Sequence, residues 1–196
     1  MEAHTFSRLV SFFIDIIVLS ILLSLLTFWI PESKTYTEAK ERDNEITNQF
    51  SKGEITSEQF FNEYFENSYV MEKERVGISI ISVILSLGYF GTYAFYNNGQ
   101  TLGKRLMRIK VVTDKDKSPS HISLIARALI INSVLASLLS CIIILFITKG
   151  QYVYTIGAIQ VIQSIIMVIS LFMVAFKKDK RGIHDIIAKT KVVQTN

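Results

Sequence analysis

The chain has 196 residues, 49% of them hydrophobic, with a formal net charge of +4 and a mean hydropathy of +0.35. A soluble domain of this size has no use for the four long apolar runs it carries, so the composition excludes that class. One cysteine, Cys141, excludes a disulfide framework, and with three scattered histidines no metal cluster and no cofactor are expected.

The runs cover residues 9–30, 76–96, 122–147 and 153–176. The first, 22 residues at about 1.5 Å rise each, reaches roughly 33 Å, enough to cross a bilayer. Both prolines lie outside the runs, so nothing in the sequence breaks a helix there. The first run is longer than the apolar part of a signal peptide, is interrupted by Asp15 and ends in Trp29-Ile30-Pro31 rather than small residues. It is expected to stay as a membrane helix.

Loop charge sets the expected orientation. Residues 31–75 hold six basic and eleven acidic side chains, whereas 97–121 and 177–196 each hold six basic and two acidic. Basic segments stay inside. The acidic loop is therefore placed outside, and both termini, the second loop and the tail in the cytoplasm. Trp29, Tyr152 and Tyr154 then form an outer aromatic belt, Tyr93 and Tyr96 an inner one. The basic pI has its ordinary explanation in an anionic inner leaflet, and no nucleic-acid binding is expected.

In the outer loop, Thr56-Ser57-Glu58-Gln59 has capping-box spacing. Phe60, Phe61, Tyr64, Phe65 and Tyr69 follow at helical intervals, which predicts a short amphipathic helix over 57–69. Its aromatic face rests on the membrane surface or on the helix ends, or serves as a lid or partner-docking face. Residues 32–51 read as mobile or loosely helical. Ser79, Ser82 and Ser86, and Ser133, Ser137 and Ser140, recur on single helix faces, where small residues allow close helix packing. Asn132, Gln160 and Gln163 either join that packing or line a wet cavity with Asp15.

Residues 108–113 and 189–194 share Lys-Val-Val and high strand propensity, and are expected to pair as a small two-stranded ribbon. The preceding stretch, Asn97-Asn98-Gly99-Gln100-Thr101-Leu102-Gly103-Lys104-Arg105, resembles a phosphate loop only superficially. Its glycine spacing is one residue short, and Arg105 stands where Ser or Thr would bind magnesium. Nucleotide binding is rejected; Gly99, Thr101, Gly103, Lys104 and Arg105 read as a turn and a basic interfacial helix.

Asp15, near the middle of the first run, is the foremost candidate functional residue. A carboxylate at that depth costs about 2.5–3.5 kcal/mol to insert, so it must face protein, water or a cation. Arg8 lies on the same helix face but about 10.5 Å away along the axis, too far for a direct pair. Arg8 is expected to snorkel to headgroups, and Arg127 is the expected partner of Asp15. In Lys180-Arg181-Gly182-Ile183-His184-Asp185 the carboxylate of Asp185 is expected to accept hydrogen bonds or to pair with Arg8 or Arg181. No serine sits in a nucleophile elbow and no histidine has metalloprotease spacing, so no catalytic residue is assigned and the chain is not expected to be an enzyme.

Three motifs in this order resemble the RDD family of small bacterial membrane proteins, named for one arginine and two aspartates. Arg8-Leu9-Val10-Ser11-Phe12-Phe13-Ile14-Asp15 is similar to the motif with the first Arg and Asp, and Asp185 to the second Asp. Gly99 to Leu106, with Lys110-Val111-Val112, is similar to the motif after the second helix, and Arg127 opens the third as an Arg often does in the family. The loop over 32–74 lies outside the resemblance, and Lys189 stands where a Gly is frequent.

The resemblance implies an all-α bundle of four membrane helices. Some members have been proposed as sodium or other cation/proton antiporters, and a carboxylate in low dielectric suits proton exchange. Two functions stay open. One is a cation/proton exchanger coupled at Asp15, its charge state set by Arg8, Arg127 and Asp185, and assembled as a homo-oligomer to form a pathway. The other is a non-transporting scaffold or regulator with a protein partner, in which the Arg/Asp set is a structural ion-pair network.

Overall fold

The structure is a computed structural model, and it describes residues 2–195. It is mostly helical with a two-stranded antiparallel sheet. Helix α1 (Thr5–Thr27) and a hairpin of α2 (Lys34–Ser51) and α3 (Ser57–Glu74) come first. The second apolar run is α4 (Val76–Leu87), a π-helical segment (Gly88–Tyr93) and α5 (Ala94–Tyr96). After α6 (Leu102–Leu106) and β1 (Ile109–Thr113) come α7 (His121–Ile131), α8 (Val134–Ile143), α9 (Lys149–Phe176), α10 (Ile183–Ile187) and β2 (Thr190–Gln194).

Thr5–Thr27, Val76–Tyr96 and Lys149–Phe176 are each long and apolar enough to cross a membrane, and α7 with α8 makes a fourth span if the bent pair counts as one. Their outer faces are uncovered: Phe13, Ile17, Leu25, Val161, Ile165 and Phe172 are each more than half exposed. A band of that size is untenable in water and belongs against lipid. This is a multi-pass membrane protein.

The third span departs from the expected continuous helix. It bends by 69° between α7 and α8, where Ser133 takes φ 56°, the left-handed region. No proline is needed. The bend frees backbone groups, and the Gln163 side-chain amide of α9 donates to the Ile130 carbonyl at 2.9 Å. Breaks inside a span persist when a neighbouring helix satisfies the backbone in this way. Gln163 therefore supports the bend. The serine stripes of the second and third runs do face each other, with Ser79, Ser82, Ser137 and Ser140 around one small cavity that also takes in Gln160.

The outer loop is more ordered than its polarity suggests. Residues 34–51 form a regular helix whose N-terminus Ser33 caps by accepting the Tyr36 amide at 3.1 Å. The predicted capping box at Thr56 and Gln59 is present, but α3 runs on to Glu74 rather than ending near Tyr69. The aromatic face has two partners. Phe60 stacks on Phe50 of α2 at 4.5 Å, and Tyr69 packs edge-on against Tyr152, donating its hydroxyl to the Ile147 carbonyl at 3.1 Å. Tyr152 is consequently buried, whereas Trp29 and Tyr154 are exposed.

At the opposite end, β1 and β2 pair antiparallel, with Val111 opposite Val192 and Thr113 opposite Thr190. The expected ribbon is thus present. The Ala3 amide donates to the Val192 carbonyl at 3.0 Å, which draws the N-terminus onto the same layer. Ala3, Ala94, Ile109, Val111, Leu124 and Val192 form its apolar core. The basic interfacial helix shrinks to five residues, because Arg108 turns the chain into β1 at φ 51°. Lys189, at φ 53°, does the same before β2, which gives a physical reason for a glycine preference there.

Candidate functional site

Arg8, Asp15, Arg127 and Asp185 form two separate buried centres, not one network around Asp15. In the first, Asp15 is fully buried. Its Oδ1 accepts from the Tyr89 hydroxyl at 2.6 Å and the Gly103 amide at 2.8 Å, and its Oδ2 accepts from the Thr101 hydroxyl at 2.6 Å. The Lys104 ammonium stands 3.5 Å from Oδ2. The donors are themselves oriented: Tyr89 accepts the Leu102 amide at 3.0 Å, and Thr101 accepts from the Lys104 ammonium at 3.2 Å. Each hydroxyl thus has its oxygen occupied by another donor and its proton directed at the carboxylate.

Local structure explains why these groups converge. The π-helical segment carries Tyr89 toward α1, and such segments occur frequently at functional positions. Gly99, at φ 82°, ends the second span in the left-handed region and lets the chain double back over Asp15. Gly103 is required for another reason. A Cβ there would lie 2.8 Å from Asp15 Oδ1 and would collide with the Ser11 carbonyl. The stretch that resembles a phosphate loop does cradle an anion, but the anion is the chain's own Asp15. Arg105 faces away and is exposed.

The second centre surrounds Asp185, also fully buried. Arg8 donates to Oδ2 at 2.5 Å, Arg127 donates to Oδ1, and the Gly182 amide donates to Oδ2 at 3.0 Å. Arg8 also donates to the Lys180 carbonyl, and Arg127 to the Thr190 hydroxyl at 2.8 Å. His184 bridges outward, with Nε2 3.3 Å from Asp185 and Nδ1 2.8 Å from the Ser170 hydroxyl. Burial by itself would raise the pKa of Asp185, but the Arg127 guanidinium, the His184 N–H and Arg8 hold it well below the usual carboxylate range. Burial pushes the His184 imidazole below its ordinary value.

Two sequence expectations are therefore corrected. Arg127 pairs with Asp185, not Asp15, because α10 and β2 pack against the opening turns of α7. Arg8 does not snorkel to headgroups; the tail folds back and supplies its partners. Arg181 pairs instead with Asp114 at 2.9 Å. Tyr89, Thr190 and Ser170 were missed as site residues. A phenol inside an apolar span was the available signal for Tyr89.

A model of the RDD family matches residues 2–189. The chain belongs to the RDD family. No curated protein and no solved structure matches it. In this RDD protein Arg8, Asp15 and Asp185 share no single ion pair among the described residues. Arg8 joins Asp185, and Asp15 joins the loop after the second span.

Between the two centres, α1, α7 and α9 of the RDD domain enclose a cavity of about 420 Å³. Arg8, Lys104, Arg127 and His184 line it toward the ribbon, and Asn132 and Ser164 toward the bend of the third span. Gln160, Gln163 and Asp15 do not line it, so Asn132 does not share this cavity with them.

Proposed function

We propose that this protein is a non-transporting scaffold or regulatory module of the bacterial cytoplasmic membrane, whose buried Arg/Asp set is a structural ion-pair network. The charge asymmetry of its loops supports a cytoplasmic ribbon and tail and an extracytoplasmic α2–α3 hairpin. One observation carries the reading: every polar group around Asp15 is a donor turned toward it. A carboxylate so placed acts as a fixed acceptor that ties the loop after the second span to α1. Protonating it would set an O–H against donors, and a transported cation would have to displace three short hydrogen bonds. The module works as a homo-oligomer or with a protein partner, through surfaces such as the α2–α3 hairpin, and no reaction of its own is proposed.

A cation/proton exchanger is the second reading. It is favoured by the Lys104 ammonium, 3.5 Å from Asp15 and in the wall of the cavity. Burial pushes this ammonium below its ordinary pKa against the pull of Asp15, which makes it a candidate proton carrier. A pH-gradient dye assay on the purified protein in liposomes separates the readings, with Na⁺, K⁺ and Li⁺ added in turn. The scaffold reading expects no cation-dependent dissipation by folded wild-type protein. Dissipation that vanishes in folded Asp15→Asn overturns it.

A further inference from the structure

We propose that the cavity between α1, α7 and α9 is a binding site for one anionic phospholipid of the surrounding bilayer, its phosphate held at the Arg8, Lys104 and Arg127 end. The inference does not depend on which reading of Asp15 holds.

Its first support is charge. The wall includes three cationic side chains, Arg8, Lys104 and Arg127, but neither Asp15 nor Asp185, which lie behind it. Asp15 and Asp185 meet these cations from behind and Glu2 also acts on Arg8, while the cavity side presents cationic donors with no carboxylate in the wall. An anion in the cavity meets those donors. A metal cation is repelled by the same wall.

Shape is the second support. Past the cations the wall becomes apolar, with Leu9, Phe12, Met167, Val168 and Leu171. Leu9, Val168 and Leu171 are also 39%, 52% and 51% exposed, so the cavity opens between α1 and α9 onto the flank that faces lipid. Near the ribbon that opening is closed by a hydrogen bond from the Thr5 hydroxyl to the Val174 carbonyl at 3.3 Å. The occupant therefore enters sideways from the bilayer, with an acyl chain in the apolar part and the headgroup at the cations. A free inorganic anion would leave the apolar part empty. Phosphate oxygens suit guanidinium and ammonium donors, and a volume near 420 Å³ lies within the usual range for small-molecule sites.

The full chain, stripped of lipid in detergent, is mixed with equal amounts of phosphatidylglycerol and phosphatidylcholine of identical acyl chains. Retained lipid is then read by native mass spectrometry. One retained phosphatidylglycerol is expected, preferred over phosphatidylcholine. Lys104→Gln should lower the preference roughly tenfold, the size of one charge-assisted hydrogen bond. Arg105→Gln, an exposed cation outside the cavity, should leave it unchanged. Ser164→Phe, which puts a ring into the cavity on the side of Asn132, should abolish retention while the thermal unfolding temperature is kept. Equal retention of the two lipids overturns the proposal, as does an equal loss in Arg105→Gln and Lys104→Gln. Full retention in folded Ser164→Phe overturns it too. Displacement by inorganic phosphate or a free fatty acid at equal concentration would assign the cavity to those anions instead.

Discussion

Tyr89 and Asp15 are joined by a 2.6 Å hydrogen bond between two different spans, and the same phenol oxygen accepts the Leu102 amide at 3.0 Å. One side chain thus links the first span, the second span and the loop that follows it. Tyr89→Phe keeps the ring but leaves Asp15 short of one donor and the Leu102 amide without its acceptor. Such losses cost about 1–3 kcal/mol. The unfolding temperature in detergent should fall, and hydrogen exchange at Leu102 should quicken; unchanged exchange there would remove the phenol from this role.

Asp15→Asn preserves shape but turns an amide NH₂ toward groups that are themselves donors. Breaking a buried, charge-paired acceptor costs about 3–5 kcal/mol. Chemical denaturation of the two proteins in one detergent checks this. A change within about 0.5 kcal/mol, the range of ordinary surface substitutions, would show that Asp15 is not a structural anchor.

Gly103→Ala and Gly88→Ala make an internally controlled pair. A Cβ at Gly103 meets Asp15 and the Ser11 carbonyl, whereas one at Gly88 meets nothing within 4 Å. Overpacking costs typically about 1–3 kcal/mol, and a compatible Gly to Ala change gains about 0.4–1 kcal/mol. The two variants should therefore shift the unfolding midpoint in opposite directions. Equal shifts would contradict the close approach at Gly103.

Acid should destabilise the tail in two stages. His184 has a lowered folded pKa, so its contribution is whole above the unfolded value of about 6.5 and declines as pH falls below it. Asp185 is also lowered, so its contribution is whole above the unfolded value of about 3.9 and is lost as pH falls through the folded value. His184→Gln should erase the first stage and leave the second. A wild-type stability profile flat between pH 7 and 5 would refute the first assignment.

Arg8→Gln and Arg127→Gln share one acceptor, Asp185, so their effects should not add. Coupled neighbours deviate by about 0.5–3 kcal/mol from additivity. A double-mutant cycle read by denaturation tests this, with strict additivity arguing that the two guanidiniums act on separate groups.

Much of this molecule was legible from periodicity and charge. Apolar runs long enough to span announced the membrane helices, and Thr56 with Gln59 announced a helix start whose capping bonds are local. The ribbon was legible because both strands repeat Lys-Val-Val. The pairing of Arg127 was not legible: it depends on where α10 and β2, some sixty residues later, dock against α7. Nor was the bend at Ser133, since a left-handed serine is permitted by its neighbours' packing, not by its own preference. Residues 32–51 read as mobile or loosely helical, yet α2 is regular and Arg42 ties it to α3, meeting Glu45 at 2.7 Å and Glu63 at 2.5 Å.

By itself the sequence determined that the chain lives in a membrane, which segments are long and apolar enough to span, and that Asp15 cannot face lipid. Hydrophobic transfer and the cost of buried charge act on each segment separately, so composition and spacing suffice. Only the tertiary structure decided which cation meets which carboxylate, and that the glycine-containing loop after the second span holds Asp15. Those outcomes rest on contacts between elements distant in the chain, where angstrom-scale docking selects one partner among several of the same charge.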